Sequence, residues 1–531
     1  MFLNFPRRLR AVAVLSALFA LSCGARTSIY LSDAGAEAPV PCSDDLDCDT
    51  GDACGRAECR EGSCVPLPAI VCDDQNACTE DLCDAQSGQC SFTPVTLDLD
   101  GDGHRSPKPG FAPGAPGACG DDCDDRSASA HPGGIEACDG VDNDCNGKVD
   151  DDAQYGNLRA PVRVASTAFD RTSGGGMAFD GKHYGITFSG HDKRWSSYFT
   201  SLARDGSTVV PESPLSELNS ETYAGLLLHN GRYFASAWMD ARQDGDYEIY
   251  FNRYESSGKK LGPDLRVTRS PNKSVDPVMV WNGTESILVW DDRREERRSG
   301  DDVRLFGQRI ALDGSLIGQN IDLTGAGTLA EYPGMALSPT RVGIVFVGRI
   351  PTTPKLTLTH AKFLSTAPDL TQPSPIVDLG GTDVHSPSLV YVGGHFAVFW
   401  ETYGSNHGPS IYGTVVDDRG NVLREQRAVT SGASHARSFS ALSLGDRVVL
   451  VWADDHDGNY QLYLQILDAD LNVLSPRARL TFTASDALSP VATLGPNGDL
   501  GVLYDDRQGG QPQTYFLGMS CAMSGRISPE N

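Results

Sequence analysis

The chain has 531 residues, with 70 Asp plus Glu against 44 Lys plus Arg and a formal net charge of −26 at pH 7. Such a surface repels phosphate backbones, so no nucleic acid is expected as a partner and divalent cations are. The length accommodates roughly two to four domains, and no segment reaches the ~18 uninterrupted apolar residues that span a bilayer.

An apolar run from Ala11 to Leu21 follows Arg7, Arg8 and Arg10 and leads through small Ser22 to Cys23. It is too short to cross a membrane and suits the apolar core of an export signal. The stretch resembles a bacterial lipoprotein signal, although Ala20 stands where that pattern most often has Leu. The resemblance implies that residues 1–22 are removed and that Cys23 is lipidated. The membrane is then a partner through this anchor, at the outer membrane or cell surface of a Gram-negative bacterium. Residues 23–41 are small and polar, without apolar periodicity, and read as a flexible tether.

Residues 42–95 hold nine of the fifteen cysteines. Cys48, Cys54, Cys59 and Cys64 align with Cys72, Cys78, Cys83 and Cys90 as a tandem repeat, while Cys42 lies outside it with no evident local partner. Each half has too few large apolar residues for a core, so disulfides are expected to hold it. Zinc is the rival ligand of such thiols, but Cys-x2-Cys pairs are absent and an exported chain is oxidised. Spacing does not give the pairing.

Residues 96–152 turn to Asp, Gly and Asn. Asp98, Asp100 and Asp102 alternate, with Gly103 at the sixth position, as in the first half of an EF-hand-like loop. Asp142, Asp144, Asn146 and Asp150 repeat the pattern around Gly147. Glu is missing from the twelfth position of both loops, where Pro109 and Ala153 stand. The Asp121–Asp125 cluster between them, with Asp122 and Asp125, is the expected donor of the missing ligand. Calcium takes about six to eight hard oxygens at short range, so these residues point to Ca2+.

The series Asp-x-Asp-Gly-Asp-Gly, Asp122-Cys123-Asp124-Asp125, His131-Pro132-Gly133 and Glu136 to Gly147 resembles the MopE-type metal-binding repeat of bacterial surface proteins. Copper is attached to that family's name. Copper is nevertheless the less expected metal here, because His104 and His131 are the segment's only imidazoles and carboxylates suit calcium better.

Residues 159–521 form a repeated β pattern. Phe188, Trp238, Trp290, Phe346, Trp400, Trp452 and Tyr504 recur at intervals of 50 to 56 residues, the period of a propeller blade. Each unit reads as four antiparallel strands with Asx-Gly or Gly-Gly turns. The expected fold class is therefore all-β: a seven-bladed β-propeller preceded by a disulfide-rich, Asp/Gly-rich metal-binding N-terminal region. Pro161 to Ala165 reads as a lone strand that completes the last blade and closes the ring. The blades resemble bacterial surface propellers with Trp-x-Asp-x-Arg turns. Residues 522–531 read as a disordered tail.

Two residues after four of the aromatics stand Asp240, Asp292, Asp454 and Asp506. They could form a ligand-gripping ring, but their repetition favours turn capping, since an asymmetric site needs residues that differ between repeats. No Gly-x-Ser-x-Gly, His-Glu-x-x-His, P-loop or dinucleotide motif is present, and His183, His191 and His229 read as loop residues. No catalytic residue is assigned and the chain is expected not to be an enzyme. It reads instead as a lipid-anchored binding or scaffold protein whose propeller presents a surface to a protein or glycan. The alternative is a glycan-binding or glycan-processing propeller of the sialidase or glycosidase kind.

Overall fold

A computed structural model describes residues 40–523, except 50, 135–140, 149–152, 158 and loop stretches at 167–168, 217–219, 243–244, 295–301, 354–355, 404–407, 431–434, 496–497 and 508–509. Cys23 and Asp150 therefore lie outside the described residues, as does the tail from residue 524. The chain divides into two compact units, residues 1–95 and 96–531.

The first unit contains two short hairpins, Ala57–Arg60 with Ser63–Pro66 and Thr79–Cys83 with Cys90–Pro94. Disulfides staple them: Cys42–Cys59, Cys48–Cys64, Cys54–Cys83 and Cys72–Cys90. In both repeats the first cysteine pairs with the fourth. The third reaches back to the preceding segment, Cys83 to Cys54 and Cys59 to Cys42. Cys42 thus has a partner, contrary to the sequence reading: it stands where a preceding repeat would supply its second cysteine. So interlocked a network fixes short strands that bury little apolar surface.

In the second unit, seven antiparallel sheets follow one another. Blade one comprises Arg171–Phe179, Tyr184–Asp192, Arg194–Leu202 and Thr208–Pro214. Blade three comprises Ser274–Trp281, Glu285–Asp292, Arg304–Ala311 and Leu316–Asp322. Blades four to six repeat this order from Ala330, Val384 and Ala436. In blade two the first strand is split into Thr222–Tyr223 and Leu227–His229. First strands of successive blades contact one another around the ring, so they are the innermost.

Second strands carry the core. Trp238, Trp290, Trp400 and Trp452 are fully buried, and seven apolar clusters each join two neighbouring blades. One of these unites Tyr184, Ile186 and Phe188 of blade one with Leu503 and Phe516 of blade seven. Alternation of inward side chains on both sheet faces lets every blade bury one face against each neighbour.

Blade seven takes Ala487–Leu494, Leu500–Asp506 and Gln513–Met523 from the C-terminal end. Its outer strand comes from the other end of the ring: Val162 and Arg163 pair with Phe516 and Tyr515, as the sequence leads one to expect. A second outer segment, Ala153–Asn157, extends that edge by pairing with Met519 to Met523, which the sequence reading missed.

Candidate functional site

Within the Asp-rich segment the carboxylates shape their own loop. Asp98 accepts N–H bonds from Gly101 (2.7 Å) and Gly103 (3.1 Å), Asp100 from Asp102 (3.2 Å), and Asp102 from His104 (2.7 Å). Gly103 has φ of 97°, the left-handed region that a side chain disfavours, and this lets its N–H turn back onto Asp98. Asp122 and Asp125 come to the same loop from the intervening cluster. Asp125 accepts from Leu99 N (2.8 Å) and Ser106 Oγ, and Asp122 from Asp124 N (2.8 Å).

These bonds use one oxygen of Asp100, Asp102 and Asp122 and leave the other. Oδ2 of each is buried and has no hydrogen-bond partner. Carboxylate oxygens of these three residues lie within 4.8 Å of one another, and a second such group joins Asp98, Asp100 and Asp125. Two oxygens bound to one calcium at about 2.4 Å cannot be further apart than about twice that, so the spacing fits a shared ion. Burial raises the Asp122 carboxyl above the ordinary range against the opposing Asp124 N–H, and Asp102, Asp100 and Asp125 push it further.

The second loop is built alike. Asp142 accepts from Asn146 N (3.1 Å) and Gly147 N (2.8 Å), so that the glycine at the sixth position again turns back onto the first Asp. Here, however, the later oxygens are spent within the loop: Asp144 accepts from Asn146 N (3.1 Å) and Asn146 Nδ2 (2.9 Å), and Asn146 from Lys148 N (2.9 Å). The Cys123–Cys145 disulfide ties this loop to the Asp122–Asp125 segment.

His104 and His131 stack with ring centroids 4.9 Å apart. Their Nδ1 atoms face Asp121 Oδ1 (3.1 Å) and Pro132 O (3.3 Å). Donating a hydrogen bond to the Asp121 carboxylate raises the His104 imidazole above its usual value. Among the described residues, no group positioned to share an ion contains a histidine.

On the propeller, the four repeated aspartates are buried structural groups. Asp292 accepts from Trp290 Nε1 (2.9 Å), Arg294 N (2.9 Å), Arg294 Nε (2.8 Å) and Ser274 Oγ (2.9 Å). Asp240 does the same for Trp238 and Arg242, and Asp454 for Trp452 and the N–H of His456. Asp506 accepts from Ser485 Oγ. Arg294 and Arg242 then lie over Phe306 and Tyr250 at 3.9 and 4.4 Å. Blade five has Thr402 at this position, and there the buried Trp400 Nε1 has no partner. Among the described residues these four aspartates form no ligand-gripping ring.

The informative position is one residue earlier. Directly after the aromatics stand Ser189, Met239, Asp291, Val347, Glu401, Ala453 and Asp505, which differ from blade to blade. Aligning the repeats on the aromatic would have exposed these carboxylates. Ser189 accepts the N–H of Ala224 (2.9 Å), Met239 that of Asp276 (3.4 Å), Glu401 that of Ser438 (2.8 Å) and Asp505 that of Gly174 (3.1 Å). Each thereby caps the inner strand of the next blade. Asp291 is 1 % exposed, and its Oδ1 is buried without a hydrogen-bond partner.

A family model for the Cu-binding MopE metal-binding motif matches residues 122–151, and one for a Dictyostelium (slime mold) repeat matches residues 71–95. The chain is 46 % identical over 52 residues to "Protein psiF" of Dictyostelium discoideum, a match covering 10 % of this chain and 7 % of that relative's length. Among solved structures, a Mycobacterium tuberculosis puromycin-hydrolyzing peptidase has a TM-score of 0.42 at 14 % identity, covering 68 % of this chain and 56 % of its own. A Penicillium chrysogenum α-L-arabinanase complexed with arabinobiose has a TM-score of 0.41 at 12 % identity, covering 60 % and 100 %.

These two solved structures are of enzymes, against the expectation that the chain is not one. An active site assembled from separate blades leaves no local sequence motif, so the lack of one does not make a propeller inactive. Likeness at this identity shows the fold alone.

Proposed function

We propose that residues 96–152 bind a divalent cation, calcium, through Asp100, Asp102 and Asp122, with Asp98 and Asp125 completing the cradle. The observation that supports this is the convergence of three buried, unpartnered carboxylate oxygens. Hard, acceptor-only oxygens suit calcium rather than copper, and the stacked imidazoles lie outside the group. Asp142, Asp144 and Asn146 supply the weaker second loop, to which the sequence spacing adds Asp150. A bound ion would neutralise the repulsion among these acids and stiffen the segment between the disulfide unit and the propeller. Around this core we place an exported chain anchored through Cys23 at a Gram-negative outer membrane or cell surface.

Calorimetry on the chain from Cys23 onward tests the cation reading. Calcium should bind with a Kd on the order of 10⁻⁴ to 10⁻³ M, typical of extracellular modules without a complete loop, and Asp122→Asn should abolish it. No calcium heat at millimolar concentration, or tighter copper binding at neutral pH, would overturn it.

For the propeller, the glycan-binding or glycan-processing role is the better supported of the two sequence readings. A cavity on the ring axis combines Tyr223, Tyr332 and Phe439 with the carboxylate of Asp276. Apolar rings set among a few polar groups are what a sugar-binding cleft requires. A glycan array probed with the same chain tests this role.

A further inference from the structure

The axial cavity measures about 390 Å³ and is lined by inner-strand residues that include Tyr223, Met239, Asp276, Tyr332 and Phe439. Inner strands bulge here: the register slips between Val275 and Val278 in blade three and between Glu331 and Gly334 in blade four. Asp276 and Tyr332, inside these bulges, hold φ of 52° and 53°. A side chain is strained in this left-handed region, and a bulky Tyr is an outlier there. Both residues line the cavity, and Tyr332 is 51 % exposed.

Val275 lies opposite Asp291 in the strand pair, so Asp276, the next residue, sits at the bulge beside Asp291. Glu331 takes both nearby guanidiniums, Arg293 Nη2 at 2.9 Å and Arg349 Nη2 at 2.8 Å. Asp291 Oδ2 is 4.0 Å from Arg293, beyond hydrogen-bond reach, and its Oδ1 is buried without a partner. Among the described residues, Asp276, Asp291 and Glu331 thus gather around Arg293, with Arg349 on Glu331 and the phenol of Tyr332 beside them. Burial pushes Asp291 well above the carboxylate range, Asp276 adds to this, and Arg293 opposes it. Burial also raises Asp276. Neighbouring carboxylates in such surroundings do not both ionise.

We propose that Asp276, at the wall of the axial cavity, shares one proton with the buried Asp291 behind it, and that Asp276 and the Tyr332 ring bind a neutral carbohydrate. The inference rests on the glycan reading above and specifies its site. A shared proton relieves the repulsion within the pair and gives Asp276 a donor beside acceptor oxygens, which matches the hydroxyls of a sugar. The half-exposed phenol offers an apolar face to the ring.

A glycan array identifies bound sugars, and titration of the strongest one into wild type and variants follows. Wild type should bind a neutral glycan. Tyr332→Ala and Asp276→Ala should each weaken it at least tenfold, whereas Asp291→Asn, which keeps a neutral donor, should retain binding and lose its pH dependence. A protonated-carboxyl band in the infrared spectrum at neutral pH should vanish in Asp291→Asn. Tyr332 is exposed enough that its variant folds, and thermal melts check the others. Glycan binding unchanged in Tyr332→Ala and Asp276→Ala would overturn this site and spare the glycan reading. Absence of the infrared band, or preference for a charged glycan, would overturn the shared proton. No glycan bound at all would overturn both.

Discussion

Asp291 and Asp292 are adjacent, both 1 % exposed, and should respond to neutralisation with opposite signs. Asp292 holds Trp290 Nε1 at 2.9 Å and Arg294 Nε at 2.8 Å. Burial pushes its carboxyl up, but the hydrogen bonds from Arg294 and Trp290 outweigh this and leave it below the ordinary range. Asp292→Asn strips the countercharge from a largely buried guanidinium, a loss that costs about 3–5 kcal/mol. With an unfolding entropy of ~2.1 cal/mol/K per residue over roughly 360 propeller residues, the melting temperature should fall by roughly 4–7 °C. Because the folded pKa is depressed, this contribution is present above the unfolded value of about 3.9 and is lost as pH falls through the folded value.

Asp291 is the reverse case. Its folded pKa is raised, so the wild type loses stability as pH climbs from about 3.9 toward that folded value, and Asp291→Asn is spared the loss. The variant should match wild type near pH 4 and melt higher at neutral pH. Thermal melts at pH 4, 6 and 8 read both effects. If Asp291→Asn melts lower than wild type at pH 8, or if the two variants shift in the same direction, the assignment of these carboxylates is wrong.

Calcium at about a hundredfold excess over its Kd should stabilise the Asp-rich segment by about 2.7 kcal/mol and slow its proteolysis, an effect that Asp100→Asn with Asp102→Asn removes. Deleting residues 153–167 takes both outer segments from blade seven, so the melting temperature should drop and the exposed edge should drive association, read by light scattering. Deleting only 159–167 should be milder, because Ala153–Asn157 still covers part of that edge. Cys23→Ser should move the protein from the membrane to the soluble fraction, since stable anchoring needs more than one acyl chain; unchanged fractionation would refute the anchor.

Blade number and ring closure were legible because each unit repeats a buried aromatic, and Val162 and Arg163 extend a β pattern into the last blade. Ala153–Asn157 was not, because Ala-Gln-Tyr-Gly-Asn has no alternation that marks a strand and pairs only where blade seven offers an edge. Cys42 was missed because its partner depends on the phase of the repeat rather than on distance along the chain. The first acidic loop could be read from the alternation of Asp98, Asp100 and Asp102. Its completion by Asp122 and Asp125 was expected too, because the loop lacks Glu at its twelfth position and the Asp121–Asp125 cluster is the acidic stretch that follows it. Asp291 was hidden by its conspicuous neighbour Asp292, whose repetition marks it as structural.

The most direct test of the cation site is a crystal structure of the chain grown with calcium, with anomalous scattering used to place the ion. The account predicts one ion bonded to Asp100, Asp102 and Asp122 at about 2.3–2.6 Å. An ion on His104 or His131 instead, or none among these carboxylates at millimolar calcium, would contradict it.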